Sequence, residues 1–411
     1  MTDLAHRLHH PLPELAPASK TLADIDGLRA AGVRAGIKAS GNPDVGLLVA
    51  NGLVDVAAVF TQNKFAAAPV LVCREHLKKS GGRARAIVVN SGNANACTGD
   101  DGLQNARIMC DDVAKLVGCA PEHVLVASTG VIGVPLPMAK IRWGIIESFQ
   151  SLDAGERAGR AFLSAIQTTD AYPKEAAEVA DDWSVAGVCK GAGMIAPNMA
   201  TMLAFLATDA PVNACNLQAL LAAAATASFN AVHVDSHAST NDSLFLIATR
   251  GESGHRAHGV EPGFFLALER TCRRLAWLIA RDGEGATKVT TIKVSGASSH
   301  EAAQAIARRV AESALVRTAL FGNDPNWGRF VSQVGNAKEV ASVAGLRCRV
   351  QGITVFENDS PTTFDRAAAS QAMAKEDVLL ELELTEGAGE GVILTSDLGY
   401  RYVEVNAEYT S

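Results

Sequence analysis

The sequence predicts an α/β fold with layered sheets and helices, and three observations support this. Runs of Val, Ile and Leu of strand length alternate with segments whose apolar residues recur at helical spacing. The composition, 48% hydrophobic and 20% charged, is typical of a packed globular protein. The chain has 411 residues, the length of two or three domains, and its 36 glycines indicate many tight turns.

In the first half of the chain, apolar runs between glycines predict strands, and apolar residues three or four apart predict helices. The predicted strands cover 45–50, 54–60, 85–90 and 124–127. The predicted helices cover 101–117 and 139–163. Residues 1 to about 25 are predicted to form a loose segment.

The second half begins with an uncharged stretch, 191–208, that has the length of a membrane span. Because Gly193, Pro197 and Asn198 interrupt it, we predict a buried loop followed by a helix. Further helices are predicted at 213–229 with Asn213 as N-cap, at 262–281, and at 298–320 after the capping box Ser298-x-x-Glu301. Strands are predicted at 288–295, 348–356, 378–384, 392–395 and 402–405.

Composition argues against several classes of function. The formal charge is −7, whereas a nucleic-acid-binding surface needs an excess of basic residues. The eight cysteines form no Cys-x-x-Cys pair and are expected to be reduced, as in a cytoplasmic protein. The first 15 residues have no apolar core typical of a signal peptide. We therefore expect a cytoplasmic protein that binds neither nucleic acid nor a membrane.

Metal and nucleotide sites find little support in the sequence. His233 and His237 are four apart, but no acidic ligand stands at helical spacing beside them, so no metal site is predicted. The segment 283–288 lacks the spacing of a phosphate-binding loop and carries Glu284 inside it. No Gly-x-Ser-x-Gly elbow of a serine hydrolase is present.

The segment 190–203, Lys-Gly-Ala-Gly-Met-Ile-Ala-Pro-Asn-Met-Ala-Thr-Met-Leu, permits a different chemistry. A small residue, Ala200, precedes Thr201 at a turn-rich approach to an apolar run. Self-cleavage needs a hydroxyl that reaches the preceding carbonyl carbon without obstruction. The new N-terminal threonine would carry its own base, since an α-amine has a pKa of about 7.7–8.0. The residues alone also fit a buried loop that leads into a strand or helix.

Six segments in order resemble the ornithine acetyltransferase family, the glutamate N-acetyltransferases of arginine biosynthesis. Besides 190–203 they are Val89-Asn-Ser-Gly-Asn-Ala-Asn-Ala-Cys-Thr-Gly99, Ser128-Thr-Gly-Val-Ile-Gly133, Arg281-Asp-Gly-Glu-Gly-Ala-Thr-Lys288, Gly322-Asn-Asp-Pro-Asn-Trp-Gly-Arg329 and Asn406-Ala-Glu-Tyr-Thr-Ser411. The resemblance extends from about residue 25 to the end of the sequence. It implies a self-processing αββα sandwich with a smaller C-terminal α/β part.

The resemblance implies a set of catalytic roles. Thr201 would be the nucleophile after cleavage of the Ala200–Thr201 bond, and Thr129 and Gly130 would form the oxyanion hole. The residues implied to bind substrate are Thr168, Lys190, Thr201, Glu284, Asn406 and Thr410. Thr168 is preferred by its place in the motif, but Thr169 remains an alternative. Lys190 and Glu284 suit N-acetylornithine, which carries a carboxylate and an ammonium group.

Cleavage would produce an α chain, 1–200, and a β chain, 201–411, that share one catalytic core, with about 285–411 forming much of a second lobe. The family resemblance suggests a heterotetramer of two α and two β chains and a reaction that uses no cofactor. The substrates would be N-acetylornithine and glutamate. Whether acetyl-CoA is also a donor remains open.

Two other functions are compatible with these residues. An N-terminal-nucleophile amidohydrolase or aminopeptidase would resolve the same acyl-enzyme with water. A binding protein that never cleaves itself would use none of this chemistry. Two features lie outside the implied roles. Ser236, His237 and Ala238 depart from the family's acidic, glycine-containing run, and 323–329 is predicted to be a rigid turn with a packed Trp327.

Overall fold

The structure, a computed structural model, describes residues 18–196, 202–212, 214–250 and 263–408. The chain divides into two compact units. The larger consists mainly of Leu15–Asn230 and His237–Ile279, and the smaller mainly of Ala231–Ser236 and Ala280–Thr410. The predicted N-cap Asn213, the predicted cleavage site Ala200–Thr201 and the predicted ligand Thr410 lie outside the described residues.

The described residues contain both strands and helices along their whole length, which confirms the α/β class. The strands are β1 Leu28–Val33, β2 Val45–Phe60, β3 Arg83–Asn93, β4 Val124–Val131, β5 Lys174–Val179, β6 Ser184–Lys190, β7 Leu203–Thr208, β8 Val232–His233, β9 Ser243–Ala248, β10 Val289–Ala297, β11 Arg347–Val350, β12 Ile353–Glu357, β13 Ser360–Pro361, β14 Asp377–Glu383 and β15 Gly389–Ser396. The helices are α1 Ala68–Ser80, α2 Gly99–Val117, α3 Met138–Gln150, α4 Glu156–Ile166, α5 Ala214–Thr226, α6 Phe264–Arg281, α7 His300–Ala311, α8 Ala314–Phe321, α9 Trp327–Gly335, α10 Arg366–Met373 and α11 Tyr400–Glu408.

The larger unit is built on an eight-stranded mixed sheet in the order β4-β3-β2-β9-β7-β6-β5, with β1 paired to β2. Two pairs, β3 with β4 and β7 with β9, are parallel, and the other pairs are antiparallel. Every residue of β7 and β9 is buried. Such continuous apolar strands are typical of a sheet covered on both faces.

The smaller unit contains a seven-stranded sheet in the order β13-β12-β11-β14-β10-β15-β8. Its core packs the sheet against α7, whose buried face includes Ile306 and Val310. A Cβ on Gly391 of β15 would lie 2.4 Å from the backbone nitrogen of Gln304, so only glycine allows this close approach. This unit is the smaller C-terminal α/β part that the sequence predicted, with β8 joining its sheet from an upstream segment.

Three predicted elements are each divided in two. The helix predicted at 139–163 is interrupted between α3 and α4, because Gly155 adopts a φ of 87° and Asp153 exchanges backbone hydrogen bonds with Ala30. The helix predicted at 298–320 ends at Ala311, and Ser313 caps the next helix by accepting a hydrogen bond from the Val316 amide.

The strand predicted at 348–356 is a hairpin of β11 and β12. Its turn contains Gln351 at φ 51° and Gly352 at φ 78°. The capping box predicted at Ser298 is also displaced by one residue, since the N-cap of α7 is Ser299, whose hydroxyl accepts from the Ala302 amide at 3.1 Å. In each of these cases a residue with special backbone geometry or a capping side chain decided the boundary.

Other predictions are wrong in type. The run after residue 202, predicted as a helix, is strand β7, because the six consecutive buried apolar residues at 202–207 fit a central strand as well as a helix. Residues 402–405, predicted as a strand, belong to helix α11. The runs at 45–50 and 54–60 are one strand, β2, with a register shift between them. The segment before residue 25 is not loose throughout, because Leu22 and Ile25 are buried in the core.

The turn predicted at 323–329 is shorter than expected: 323–326 are not helical, but Trp327 is the first residue of helix α9. The Trp327 indole stacks on Phe356 with ring centroids 5.2 Å apart. Asn323 at φ 52° accepts a hydrogen bond from the Lys288 ammonium group. Within the described residues, no helix combines the length and the apolar character needed to cross a bilayer.

Candidate active site

The segment predicted to form the oxyanion hole lies at the end of β4, where that strand runs parallel to β3. Thr129 is opposite Ser91 and is buried, and Gly130 is opposite Gly92. Gly130 has a φ of 131°, and a Cβ there would lie 2.3 Å from the Gly92 carbonyl carbon. Glycine is therefore required both by the backbone conformation and by the close approach of the two strands.

Buried amide side chains surround this strand end. The side-chain nitrogen of Asn90 donates to the Asn93 backbone carbonyl at 2.8 Å, and the Asn90 Oδ1 accepts from the Ser128 hydroxyl at 2.6 Å. The side-chain nitrogen of Asn93 donates to the backbone carbonyl of Val134 at 3.0 Å, just beyond β4. Side chains of the asparagine-rich segment 89–99 thus bind the Ser128 hydroxyl directly before Thr129 and the backbone at Val134 beyond it.

Lys190 ends strand β6 and is 4% exposed. Its Nζ donates to Thr129 Oγ1 at 3.2 Å, which brings two of the predicted site residues into direct contact. Because an ammonium group can only donate, the threonine oxygen is the acceptor and its hydrogen is left to donate elsewhere. A hydroxyl polarised in this way is a suitable donor to a developing oxyanion.

The sequence analysis did not assign a role to Asp170, which joins two predicted substrate-binding segments. Its Oδ2 accepts from the Thr168 amide at 2.9 Å, and its Oδ1 accepts from the Gly191 amide, next to Lys190, at 2.8 Å. Its Oδ1 also lies 2.6 Å from the Lys174 Nζ, and both side chains of this ion pair are fully buried. The Asp170 carboxylate therefore connects the loop of Thr168 to the end of β6.

The ionisation of Asp170 follows from these contacts. Burial would raise its pKa, but the charges of Lys174 and Lys190 and the hydrogen bonds from Lys174 and the Thr168 amide outweigh burial and lower the pKa to about 2. The carboxylate is therefore ionised throughout the physiological pH range.

Lys38 adds a further cation next to this loop. Its Nζ donates to the carbonyls of Gln167 at 2.6 Å and Pro43 at 2.7 Å. Burial lowers the pKa of Lys38 to about 8, with Lys190 acting in the same direction and Asp44 and Asp170 opposing it. The backbone that leads into Thr168 is thus anchored by a lysine that titrates close to neutral pH.

The chain that follows the predicted nucleophile is anchored at Met202. The Met202 amide donates to Asp242 Oδ1 at 3.1 Å, and the Met202 carbonyl accepts from the Ser243 amide at 3.1 Å. Burial raises the pKa of the Asp242 carboxyl well above its usual range. The residue directly before strand β7 is therefore held at both its amide and its carbonyl group.

Two predicted substrate-binding residues lie together in the smaller unit. The side-chain nitrogen of Asn406, on α11, donates to Glu284 Oε2 at 3.0 Å and to the Tyr402 backbone carbonyl at 2.9 Å. The loop of Glu284 packs closely on this helix, since a Cβ on Gly285 would lie 2.4 Å from the Tyr402 nitrogen. Residues 406–408 therefore form the last part of helix α11, which contacts the loop of Glu284.

The histidines considered as metal ligands have other partners. His233 lies in β8, where its Nδ1 is 3.2 Å from Thr395 Oγ1 and its Nε2 is 2.8 Å from Ser236 Oγ. His233 and His237 do not share a helix face, because β8 and a loop contain them. The described residues contain no group of three or more His, Cys, Asp or Glu side chains arranged to hold a metal ion.

Sequence reasoning missed the buried residues that support the site. Asp170, Asn241 and Asp242 each bind backbone atoms next to a predicted site residue. The available signal was their position, since each lies within two residues of a predicted site residue or at the start of a buried strand. Pairing between distant segments, which sequence does not specify, is what gives them a role.

Comparisons with a family model and with curated proteins both match this chain to the ArgJ family. A model of the ArgJ family matches residues 29–411. The chain is 44% identical over 394 residues to the arginine biosynthesis bifunctional protein ArgJ of Rhodopirellula baltica, covering 94% of this chain and 96% of that protein. For the protein of the same name from Thermus thermophilus, identity is 46% over 388 residues, covering 94% and 98%.

Among solved structures, the chain is similar to an ornithine acetyltransferase of Mycobacterium tuberculosis complexed with ornithine. That match has 38% sequence identity and a TM-score of 0.42. It covers 45% of this chain and 96% of the other.

Proposed function

The chain belongs to the ArgJ family, and on that premise we propose that it transfers an acetyl group from N-acetylornithine to glutamate. It is an acyltransferase of arginine biosynthesis. The proposed products are ornithine and N-acetylglutamate, so the acetyl group is retained. We further propose a cytoplasmic enzyme composed of two α and two β chains.

The first proposed step is self-processing. The Thr201 hydroxyl attacks the carbonyl carbon of Ala200, the bond to nitrogen breaks, and water releases Ala200 from the resulting ester. The products are chains 1–200 and 201–411. Thr201 then carries a free α-amine, whose usual pKa near neutrality suits a general base.

Acetyl transfer then proceeds by two displacements at Thr201. Its hydroxyl adds to the acetyl carbonyl of N-acetylornithine while its α-amine takes the hydroxyl proton. The carbon–nitrogen bond breaks and ornithine leaves with that proton. The amine of glutamate then attacks the acetyl ester, and the proton returns to the Thr201 oxygen. The balance needs only the two substrates, so no cofactor takes part.

The contact between Lys190 and Thr129 is the single observation that carries this proposal. It leaves the Thr129 hydroxyl as a donor next to the backbone of Gly130, as a hole for a tetrahedral oxyanion requires. The Lys190 ammonium also suits the carboxylate of the amino-acid substrates. We assign substrate binding to Thr168 and Lys190 in the larger unit, to Glu284, Asn406 and Thr410, and to Thr201 itself.

The test compares two products from the same acetyl donor. Purified protein is incubated with N-acetylornithine, with and without glutamate, and both N-acetylglutamate and free acetate are measured. We expect N-acetylglutamate in proportion to released ornithine and little acetate. Acetate as the main product would make the chain a hydrolase, and the same assay with acetyl-CoA shows whether that donor is also used. Thr201→Ala is the control, which we expect to be one intact and inactive chain.

A further inference from the structure

The pair Asn241–Asp242 lies between two parts of the proposed active site that are distant in sequence. Both residues are buried, with Asn241 7% and Asp242 0% exposed. They immediately precede β9, whose first residue, Ser243, is paired with Leu203 at the start of β7. This places the pair beside the backbone that follows the proposed nucleophile.

Asn241 binds the oxyanion segment. Its side-chain nitrogen donates to the Ser128 carbonyl at 2.8 Å and to the Ala94 carbonyl at 2.6 Å, which uses both of its hydrogens. The Ser128 carbonyl belongs to the planar peptide group that contains the Thr129 amide. The orientation of the peptide that leads into Thr129 is therefore fixed by Asn241.

The Asn241 side chain is itself held in one orientation. Its Oδ1 accepts from the Thr240 hydroxyl at 2.6 Å, and its backbone amide donates to the Ser239 hydroxyl at 3.1 Å. Because the side-chain nitrogen has two carbonyl partners, a flipped amide would place Oδ1 against two carbonyl oxygens and lose both of these hydrogen bonds. Only asparagine has the right shape and the right donors here.

Asp242 binds the other segment. Its Oδ1 accepts from the Met202 amide, and its backbone carbonyl accepts from the Thr61 amide at 3.0 Å. Its Oδ2 is also buried. Burial raises the pKa of this carboxyl well above its usual range, although the hydrogen bond from the Met202 amide acts in the opposite direction.

We propose that Asn241 and Asp242 are positioning residues that set the placement of the Thr129–Gly130 oxyanion segment relative to the chain that begins at Met202. This inference rests on the proposed function. Neighbouring residues in one backbone bind the two segments, so a shift of either segment breaks hydrogen bonds of the pair. The placement matters because a displacement of about 1 Å between reacting groups lowers rates roughly 10²-fold.

The first test replaces Asn241 by Asp, which has the same shape but faces two carbonyl oxygens with a carboxyl group. We expect kcat per active site to fall roughly 10²-fold, with KM for N-acetylornithine changed less than about twofold, since oxyanion contacts act mainly in the transition state. Active sites are counted by the amount of enzyme that N-acetylornithine acetylates when glutamate is absent.

A second pair of variants tests the Asp242 oxygen that accepts from the Met202 amide. Asp242→Asn keeps an oxygen that accepts from the Met202 amide, whereas Asp242→Ala removes it. We expect Asn to retain self-processing and kcat within about threefold of wild type, and Ala to lose at least about tenfold in both rates. If Asn241→Asp does not fold, the two Asp242 variants still test the positioning role.

The matched control is Thr208→Val at the far end of β7. Its hydroxyl is buried, donates to the Ser184 carbonyl at 2.8 Å and accepts from the Ala210 amide at 3.0 Å. We expect this variant to lower the melting temperature but to keep kcat per active site unchanged. A decrease in kcat at Asn241 beyond any effect at Thr208 distinguishes positioning from general loss of stability.

Three results would overturn the inference. One is a kcat per active site in Asn241→Asp within twofold of the Thr208→Val control. Another is an Asp242→Asn variant as defective as Asp242→Ala. If the wild-type chain neither cleaves itself nor transfers acetyl groups, the proposed function fails and this inference fails with it, whereas the first two results leave the proposed function intact.

Discussion

At the scale of single residues, the hydroxyl of Thr129 is the group on which the proposed chemistry depends most after the nucleophile. It accepts from the Lys190 ammonium group, so its own hydrogen is left to donate. The resemblance to a known family pointed to Thr129 and Lys190 separately. Their contact was beyond sequence reasoning, because it arises from pairing between β3 and β4 and from the distant placement of β6.

Replacing Thr129 by Val removes this donor at nearly constant volume. We expect kcat for acetyl transfer to fall roughly 10²- to 10³-fold, the usual effect of losing one oxyanion donor. Thr129→Ser keeps the hydroxyl and should retain most activity. Steady-state assays measure both, with Thr226→Val on the exposed side of α5 as a control. A Val variant within threefold of wild type would refute the role of the hydroxyl.

Asp170 shows how a buried charge stabilises the loop that contains Thr168, a proposed substrate-binding residue. Asp170→Asn removes a negative charge that lies 2.6 Å from the fully buried Lys174 ammonium. We expect the free energy of unfolding at pH 7 to fall by about 3–5 kcal/mol, the cost of breaking a buried pair from one side. The double variant Asp170→Asn/Lys174→Met removes both charges and should recover part of this loss. Urea unfolding of the three proteins provides the measurement.

The same carboxylate makes a pH-dependent contribution. Its pKa in the folded protein, about 2, is below the ordinary value of 3.8, so the stabilisation is complete well above pH 4 and is lost as pH falls toward 2. Wild type should therefore lose stability more steeply than the double variant between pH 4 and pH 2. Parallel slopes for the two proteins in this range would contradict the assignment.

At the scale of elements, the apolar runs predicted β2, β3, β4, β10, β14 and β15, whereas β1, β5, β6 and β9 were not predicted and several boundaries were wrong. The break between α3 and α4 depends on pairing of Asp153 with Ala30, more than 100 residues earlier in the chain. The error at β7, where a helix was predicted and a strand is found, has a similar origin. Six apolar residues fit either state, and the partners β6 and β9 decide between them.

The close approach of the parallel strands β3 and β4 at Gly92 and Gly130 leads to a prediction about these two elements. Gly130→Ala puts a methyl group against the Gly92 carbonyl carbon and should separate the strands at the oxyanion segment. We expect a loss in kcat of roughly 10²-fold or more together with a lower melting temperature.

Gly133→Ala is the matched control for Gly130→Ala. It also requires a positive φ, 78°, but a Cβ there has nothing within 4 Å. It should lower stability by about 1–2 kcal/mol with little effect on kcat. Equal effects of the two substitutions on kcat would show that the close approach at Gly130 does not matter.

At the scale of the whole molecule, the proposed cleavage divides a sheet rather than separating domains. Strands β2 to β6 precede residue 200, whereas β7 and β9 follow it, yet β7 pairs with β6 and β9 pairs with β2. The first fragment cannot leave the second without breaking both of these ladders. The sequence suggested a shared core, and this interleaving gives a physical reason for it.

Fragments 1–200 and 201–411 should therefore remain together after processing. We expect them to co-elute in equal amounts from a sizing column under native conditions and to separate only in denaturant. Release of a folded fragment without denaturant would contradict the shared sheet.

The most direct test of the central claim is intact mass spectrometry of the protein after brief incubation with N-acetylornithine and rapid denaturation in acid. The account predicts two fragments, with one acetyl group on the fragment that begins at Thr201. That group should disappear on addition of glutamate as an equal amount of N-acetylglutamate forms. An intact chain of 42.9 kDa that transfers acetyl groups, or a fragment never acetylated while transfer proceeds, would contradict the account.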